Sequence, residues 1–83
     1  MYFVETADQA LAQLDALPAE ALPHYAELVA MLQLAPWAGR TYDDRNPDLP
    51  TRSQTFGDRG QGLAIYLVLE RQRRVCVLRL HWH

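Results

Sequence analysis

Residues 62–83 read GLAIYLVLERQRRVCVLRLHWH, and this stretch decides the fold. Two apolar runs, 63–70 and 75–82, are rich in aliphatic, β-branched and aromatic residues, and the polar residues 71–74 separate them. Strand-forming runs joined by a short polar segment are typical of a β-hairpin. The sequence therefore predicts two antiparallel strands at the C-terminal end.

The number of residues in the turn sets the register of this hairpin. With an even number, Tyr66 lies opposite Val77, and further along the strands Ala64 lies opposite Arg79 and Gly62 opposite His81. Alternation then predicts that one fully apolar face packs under the helices: Leu63, Ile65, Leu67, Cys76, Leu78, Leu80 and Trp82. The other face, half apolar and half ionisable, carries Ala64, Tyr66, Val68, Val75, Val77, Arg79, His81 and His83.

Upstream of the hairpin, the pattern predicts a strand and two helices. Residues 2–5 form a short β-rich run. Thr6 and Gln9 fit a capping box, so a first helix is expected over residues 7–16. A second helix is expected to begin near Pro23 and to end before Ala35 and Pro36. Its apolar stripe at helical spacing consists of Tyr25, Leu28, Val29 and Leu32.

Between the second helix and the hairpin, residues 37–50 lack apolar periodicity and are rich in turn-forming residues. They predict a long loop, and loops of this length are usually either functional or mobile, so a binding loop and a plain connector both remain open. Residues 51–56 then predict a third strand. Together with the hairpin, this strand completes a three-stranded antiparallel run.

Composition limits the class of protein. A chain of 83 residues can build one core, so we expect a single domain over residues 1–83. No apolar run approaches the roughly 20 residues that span a bilayer, which predicts a cytoplasmic protein with no membrane partner. Residues 1–39 carry a net charge of −5 and residues 40–83 a net charge of +3, with arginine as the only strongly basic residue. Any phosphate-bearing partner is therefore expected to meet the C-terminal half; the alternative is that these arginines are solvated and have no partner.

The order of strand, two helices, long loop and three-stranded run resembles the RelE/ParE superfamily, the toxins of type II toxin–antitoxin systems. The similarity is most specific at the last hairpin, where Arg79-Leu80-His81-Trp82 resembles the Arg-x-His-aromatic ending of some members. The resemblance covers essentially the whole chain. It implies an α+β fold in which one sheet carries both helices on one face.

The resemblance also implies an activity and partners. Catalytic members bind ribosome-bound mRNA on the free sheet face and cleave it without a metal or other cofactor, and a cognate antitoxin silences them. On this reading Arg79 supplies fixed charge at the phosphate, and His81 acts as acid or base, because an imidazole with an ordinary pKa of about 6.5 exchanges protons near neutrality. Tyr66, Arg52 and the terminal His83 complete the candidate catalytic set.

Three departures from the family pattern leave the activity open. The penultimate-strand arginine of catalytic members is replaced by Leu63 or a neighbour, the chain has no lysine, and its net charge is −2. Arg52 or Arg59 would then make the phosphate contact. The alternatives are a ParE-like inhibitor of DNA gyrase and an inactive domain that only binds its antitoxin.

Two other residue groups have ordinary structural interpretations. Trp37 and Trp82 are expected to pack, although Trp37 beside the long loop is also placed to stack on a base or to anchor a partner. A metal site built from Cys76, His81 and His83 is not expected, because the predicted register places the thiol on the opposite face from the imidazoles.

Overall fold

The computed structural model describes residues 1–41, 45 and 50–83, and the segments 42–44 and 46–49 of the predicted loop lie outside these described residues. In chain order the main elements are β1 (Phe3–Thr6), α1 (Asp8–Asp15), α2 (Leu22–Leu34), β2 (Arg40–Thr41), β3 (Thr51–Phe56), β4 (Gly62–Leu69) and β5 (Arg74–Trp82). The strands form one five-stranded sheet with the order β1-β5-β4-β3-β2. Strand β1 runs parallel to β5, and the other neighbours are antiparallel.

The predicted α+β class is confirmed, and so is the order of its main elements. The sheet contains one strand more than the four expected. The additional strand is β2, whose two residues pair with Ser53 and Arg52 of β3. It lies within the stretch predicted as loop, and two residues are too few for a period-2 pattern to be visible in a sequence.

Both helices pack on the same face of the sheet, as predicted. The core joins Ala10 of α1 and three residues of the α2 stripe to residues of β3, β4 and β5. The buried α2 residues are Tyr25, Leu28 and Leu32, and Val29 packs at the edge of this cluster. Within the described part of the chain, neither helix combines the length and the apolarity needed to cross a membrane.

The predicted capping box at the start of α1 is wrong. The N-cap residue is Ala7, and no side chain caps the helix there. The reason is that the chain passes directly from strand to helix. Thr6 pairs with Val77 as the last residue of β1, and the Ala7 amide still donates to the Val77 carbonyl at 2.9 Å. The acidic Asp8 then occupies the first helical turn, where it interacts favourably with the helix dipole.

The predicted faces of the hairpin are exchanged over most of its length. The turn joins Leu69 to a directly opposite Arg74, and Tyr66 pairs with Val77 as predicted. However, the face under the helices is the one predicted to be free: Ala64, Tyr66, Val68, Val75 and Val77 are all buried in the core. Both faces of β4 are apolar, so hydrophobicity alone could not decide which one packs on the helices.

A β-bulge in β5 places the last residues of this strand on the faces that were predicted for them. The register shifts between Ile65 and Tyr66, so that Ile65 pairs with Arg79, Tyr66 with Val77, and Leu78 is the extra residue. Ala64 therefore lies opposite Leu80, and Gly62 opposite Trp82, rather than opposite Arg79 and His81 as predicted. An extra residue reverses the alternation beyond it. Leu80 and Trp82 consequently pack against the core, as expected for them.

Helix α1 lies against this bulge. The Leu80 amide donates to the Gln13 side-chain oxygen at 2.6 Å. A bulge disrupts the hydrogen-bond ladder locally, so a side-chain acceptor there fixes the irregular strand. The position of the bulge decides which β5 side chains leave the core.

Candidate functional site

Arg79 and His81 lie together on the sheet face that the helices leave uncovered, as predicted. Both are exposed, and their directly opposite partners on β4 are Ile65 and Leu63. Alternate residues of one strand are about 7 Å apart on the same face. We call this surface the open face. Its rows across the sheet are Arg40-Ser53-Ile65-Arg79, Thr55-Leu63-His81 and Thr51-Leu67-Cys76-Glu5.

The open face beside Arg79 and His81 carries both apolar side chains and hydroxyl groups. Leu63 and Leu67 are half-buried, and Ile65 is 9% exposed, so the part of the open face on β4 is apolar. The hydroxyls of Ser53 and Thr55 lie on the neighbouring strand β3. A guanidinium and an imidazole on such a surface can bind one phosphate group and exchange a proton beside it.

Tyr66 and Arg52 do not belong to this site, contrary to the sequence prediction. Tyr66 is fully buried under the helices, and its hydroxyl donates to the Pro36 carbonyl at 2.6 Å. Burial raises the pKa of the Tyr66 phenol, with Arg52 opposing the shift, so the hydroxyl stays a donor. Arg52 pairs with Tyr66 and therefore points to the same covered face. The exchanged faces of β4 account for both errors.

His83 lies just beyond β5. Its amide donates to the Gln61 carbonyl at 3.1 Å, and its side chain is exposed. This backbone contact attaches the end of the described chain to the start of β4. The contact involves only the backbone of His83 and does not orient its imidazole towards Arg79. Among the described residues, no contact places His83 in the site with Arg79 and His81.

Arg52 and Tyr66 have a structural role: both bind the backbone of residues 36–39, the segment that precedes β2. Besides the Tyr66 bond to Pro36, an Arg52 guanidinium nitrogen lies 3.4 Å from the Gly39 carbonyl that accepts its hydrogen bond. The same guanidinium lies 5.0 Å above the Trp37 ring. Trp37 is thus an anchoring residue that remains 38% exposed.

Gly39 fits this segment because it has no side chain. A Cβ at this position would overlap the Tyr66 hydroxyl and lie 2.9 Å from the Ser53 carbonyl oxygen. We expect Gly39→Ala to destabilise the fold by about 1–3 kcal/mol, the usual cost of overpacking. Chemical denaturation of the two proteins tests this, with Ala38→Gly at the exposed neighbouring position as the control. An unchanged midpoint for Gly39→Ala would contradict the close packing of this segment.

Glu70, at the end of β4, connects three parts of the chain. Its carboxylate accepts hydrogen bonds from the Tyr2 hydroxyl at 2.6 Å, the Trp37 indole at 2.7 Å and the Arg73 guanidinium at 2.8 Å. These donors, with the Tyr2 bond as the largest cause, lower the pKa of Glu70 to about 2. The tip of the hairpin is therefore tied to the N-terminus and to the anchored segment.

The Glu70 cluster predicts a pH dependence of stability. A carboxyl with a lowered folded-state pKa stabilises the fold above its unfolded value of about 4.5, and this contribution is lost as pH falls towards 2. We expect Glu70→Gln to melt below the wild type at pH 7, and the difference in Tm to narrow between pH 5 and pH 2. Glu20→Gln, at an exposed position of the short 3-10 helix Ala19–Ala21, is the control. A constant difference in Tm across this range would show that the carboxylate charge is not involved.

The bulge also changes which face of the sheet Cys76 shares with His81. Cys76 lies on the same face as His81, not on the opposite face as predicted, because the alternation reverses between them. Their partners Leu67 and Leu63 are four residues apart on β4, which separates the two side chains by about 13 Å. Among residues 1–41, 45 and 50–83, no three histidine, cysteine or acidic side chains are grouped as metal ligands would be.

A separate groove of about 250 Å³ lies between α2 and β3. His24 and Glu27 line one side, and Gln54 and Gly57 line the other. The His24 ring stacks on Trp82 with centroids 6.5 Å apart, and its Nδ1 lies 3.9 Å from an Asp58 oxygen. Thr55 of the open face borders the groove, but neither Arg79 nor His81 does, so the groove is separate from these two candidate site residues.

Comparison with known proteins supports the fold. No protein-family model matches the chain, and no curated protein matches it. Among solved structures, a chain of the intact Escherichia coli RelBE toxin–antitoxin complex matches with a TM-score of 0.80 and 14% identity, covering 100% of this chain and 98% of that chain. The isolated E. coli RelE toxin matches with a TM-score of 0.80 and 13% identity, covering 99% and 84%.

A solved archaeal structure gives the same result at a lower TM-score. The RelE–RelB complex of Pyrococcus horikoshii matches with a TM-score of 0.65 and 17% identity, covering 98% of this chain and 93% of that chain. These matches cover at least 98% of this chain and at least 84% of each solved chain, so they concern the whole architecture rather than one motif. The chain therefore has the RelE fold, which the order of its predicted elements and its last hairpin had indicated.

Proposed function

We propose that this chain is the toxin of a type II toxin–antitoxin pair and that it cleaves mRNA on the ribosome without a metal ion. The observation that carries the proposal is the exposure of Arg79 and His81 side by side on the open face of a RelE fold. The solved structures that the chain resembles include toxins bound to their antitoxins. A cytoplasmic location, where ribosomes are, is part of the proposal.

The proposed reaction is an internal transfer at one phosphodiester. The ribose 2′-hydroxyl loses its proton to solvent and attacks the adjacent phosphorus, the bond from phosphorus to the 5′-oxygen breaks, and the 5′-oxygen takes up a proton from a general acid. The products are a cyclic phosphate and a 5′-hydroxyl. The reaction thus needs a group that moves protons and a fixed positive charge for the phosphate oxygens.

Two side chains of the open face match these needs. Arg79 presents up to five N–H donors in a fixed plane, which suits a phosphate as its charge increases. His81, about 7 Å along the same strand, is close enough to reach an oxygen of that same phosphate. We assign His81 to the proton transfer at the 5′-oxygen, and Arg79 to the two non-bridging oxygens.

The ribosome supplies what the protein lacks in this proposal. The net charge of −2 gives little general attraction for RNA, which is bound largely through its phosphates. A protein of this charge is therefore expected to cleave poorly on free RNA. The ribosome holds the mRNA in a defined conformation and concentrates it beside the bound toxin.

Controlled expression in bacterial cells tests the proposal. We expect growth to stop on induction, mRNA to be cut within coding regions, and both effects to be relieved by co-expression of a short adjoining reading frame that encodes the antitoxin. The two proteins should then purify as one complex.

The other outcomes separate the alternatives. Growth arrest with intact mRNA and inhibited DNA supercoiling would replace the proposal by a ParE-like gyrase inhibitor. A protein that binds the antitoxin but causes no arrest would be an inactive binding domain. Recovery of only free protein after co-expression would contradict the toxin–antitoxin pairing itself.

A further inference from the structure

A second arginine lies in the same row of the open face as Arg79. Arg40 pairs with Ser53, Ser53 pairs with Ile65, and Ile65 pairs with Arg79. Directly opposite residues of antiparallel strands point to the same side of the sheet, so both arginines project from the open face. Both are exposed.

The spacing of the two arginines indicates two separate phosphates. Three strand spacings of about 4.8 Å place their backbones roughly 14 Å apart. Among the described residues of this row, Ser53 and Ile65 lie between them, and neither carries a charge. To bind a single phosphate, both arginine side chains would have to bend towards each other across the sheet. Two phosphates of one extended RNA strand can be bound while both side chains project straight out from the sheet.

Three side-chain hydrogen bonds hold the segment before Arg40, in addition to the pairing of β2 with β3. Tyr66 holds Pro36, Glu70 holds Trp37 and Arg52 holds Gly39 through the hydrogen bonds described above. The residue after this segment is therefore presented at a defined position on the open face. Anchoring of this kind reduces the entropy lost when a long arginine side chain binds a ligand.

We infer that Arg40 is a second phosphate-binding residue of the mRNA site, contacting a phosphate other than the one that is cleaved. The inference rests on the proposed function and makes it more specific. Arg79 and His81 act on the scissile phosphate, and Arg40 fixes the register of the RNA strand across the sheet. Arg40 is thus a positioning residue rather than a catalytic one.

The test combines a protein variant with a chemical change in the RNA. Ribosomes are programmed with synthetic mRNAs in which one phosphate at a time, on either side of the cleavage site, is replaced by an uncharged methylphosphonate. Single-turnover cleavage is measured against toxin concentration for the wild type, Arg40→Ala, Arg40→Lys and Arg71→Ala. Arg71, exposed in the β4–β5 turn, is the matched control. Circular dichroism and thermal melting verify that all variants are folded.

For the wild type, we expect one non-scissile methylphosphonate to raise the half-saturating concentration by about 10- to 100-fold, the usual effect of losing a charge-assisted hydrogen bond. Arg40→Ala should show the same increase on unmodified mRNA, no further increase at that one position, and an unchanged rate at saturation. Arg40→Lys should fall between the two, and Arg71→Ala should behave as the wild type.

Two results would overturn the inference in different ways. If Arg40→Ala retains the full methylphosphonate effect at every position, Arg40 does not bind a phosphate, while the proposed function stands. If the wild type cleaves no ribosome-bound mRNA, the proposed function fails, and the inference fails with it.

Discussion

Replacing His81 by alanine should lower the rate of mRNA cleavage by about 10²- to 10⁴-fold, the usual contribution of a positioned acid or base. The side chain is exposed on the open face and absent from the core, so the variant should fold as the wild type does. Single-turnover cleavage on programmed ribosomes measures the rate. Far-ultraviolet circular dichroism and the melting temperature verify the fold.

Arg79→Ala should cause a loss of similar size, because the arginine is assigned to the charge that develops on the same phosphate. Arg71→Ala is the appropriate control. Arg73 is less suitable, since it donates to Glu70 and lies over the Tyr2 ring, so its removal would also disturb the hairpin tip. Wild-type rates for His81→Ala and Arg79→Ala would show that the reaction takes place elsewhere.

Replacing Tyr66 by alanine should destabilise the protein by about 3–5 kcal/mol, the usual cost of removing a large buried aromatic side chain. Tyr66 is fully buried, and its hydroxyl fixes the Pro36 carbonyl. Equilibrium denaturation measures the loss. Since small domains are stable by only about 5–15 kcal/mol, we expect a much larger unfolded fraction at 37 °C.

Tyr66→Phe separates this structural role from the catalytic role that the sequence suggested. It keeps the ring and leaves the Pro36 carbonyl without its donor, at a cost of about 1–3 kcal/mol. At a temperature where it is folded, it should cleave mRNA within a few-fold of the wild type. A loss of cleavage comparable to that of His81→Ala in a folded Tyr66→Phe protein would return Tyr66 to the catalytic set.

The sequence predicted the elements of this fold because their signals are local. The α2 stripe of Tyr25, Leu28 and Leu32 and the apolar runs of the last hairpin are each visible within a dozen residues. Strand β2 was missed because two residues carry no period. The choice of the packed face of β4 also failed, since Leu63 and Leu67 are as apolar as Tyr66 and Val68.

The bulge in β5 had a signal that can be recognised afterwards. The predicted register gave one face that was half apolar and half ionisable, with Val75 and Val77 beside Arg79 and His81. A strand that changes character halfway along one face is typical of an inserted residue that reverses the alternation. Placing a bulge near Leu78 would have put both valines in the core and both ionisable residues on the open face.

The remaining features of the site depend on contacts between distant parts of the chain. Glu70 meets Tyr2 and Trp37, which are 68 and 33 residues away, and no sequence spacing relates them. Arg40 joins the row of Arg79 only through two intervening strands. Such arrangements follow from the order of strands in the sheet, which one sequence does not reveal.

The central claim is that Arg79 and His81 form the reacting part of a ribosome-dependent endonuclease. The most direct measurement places purified wild-type protein or His81→Ala with ribosomes carrying a defined mRNA, and maps the new 5′ ends by primer extension. We expect a discrete cut by the wild type, only when ribosomes are present, and a rate lower by at least about 100-fold for the variant. Equal cleavage by the two proteins, or no cleavage by the wild type, would contradict it.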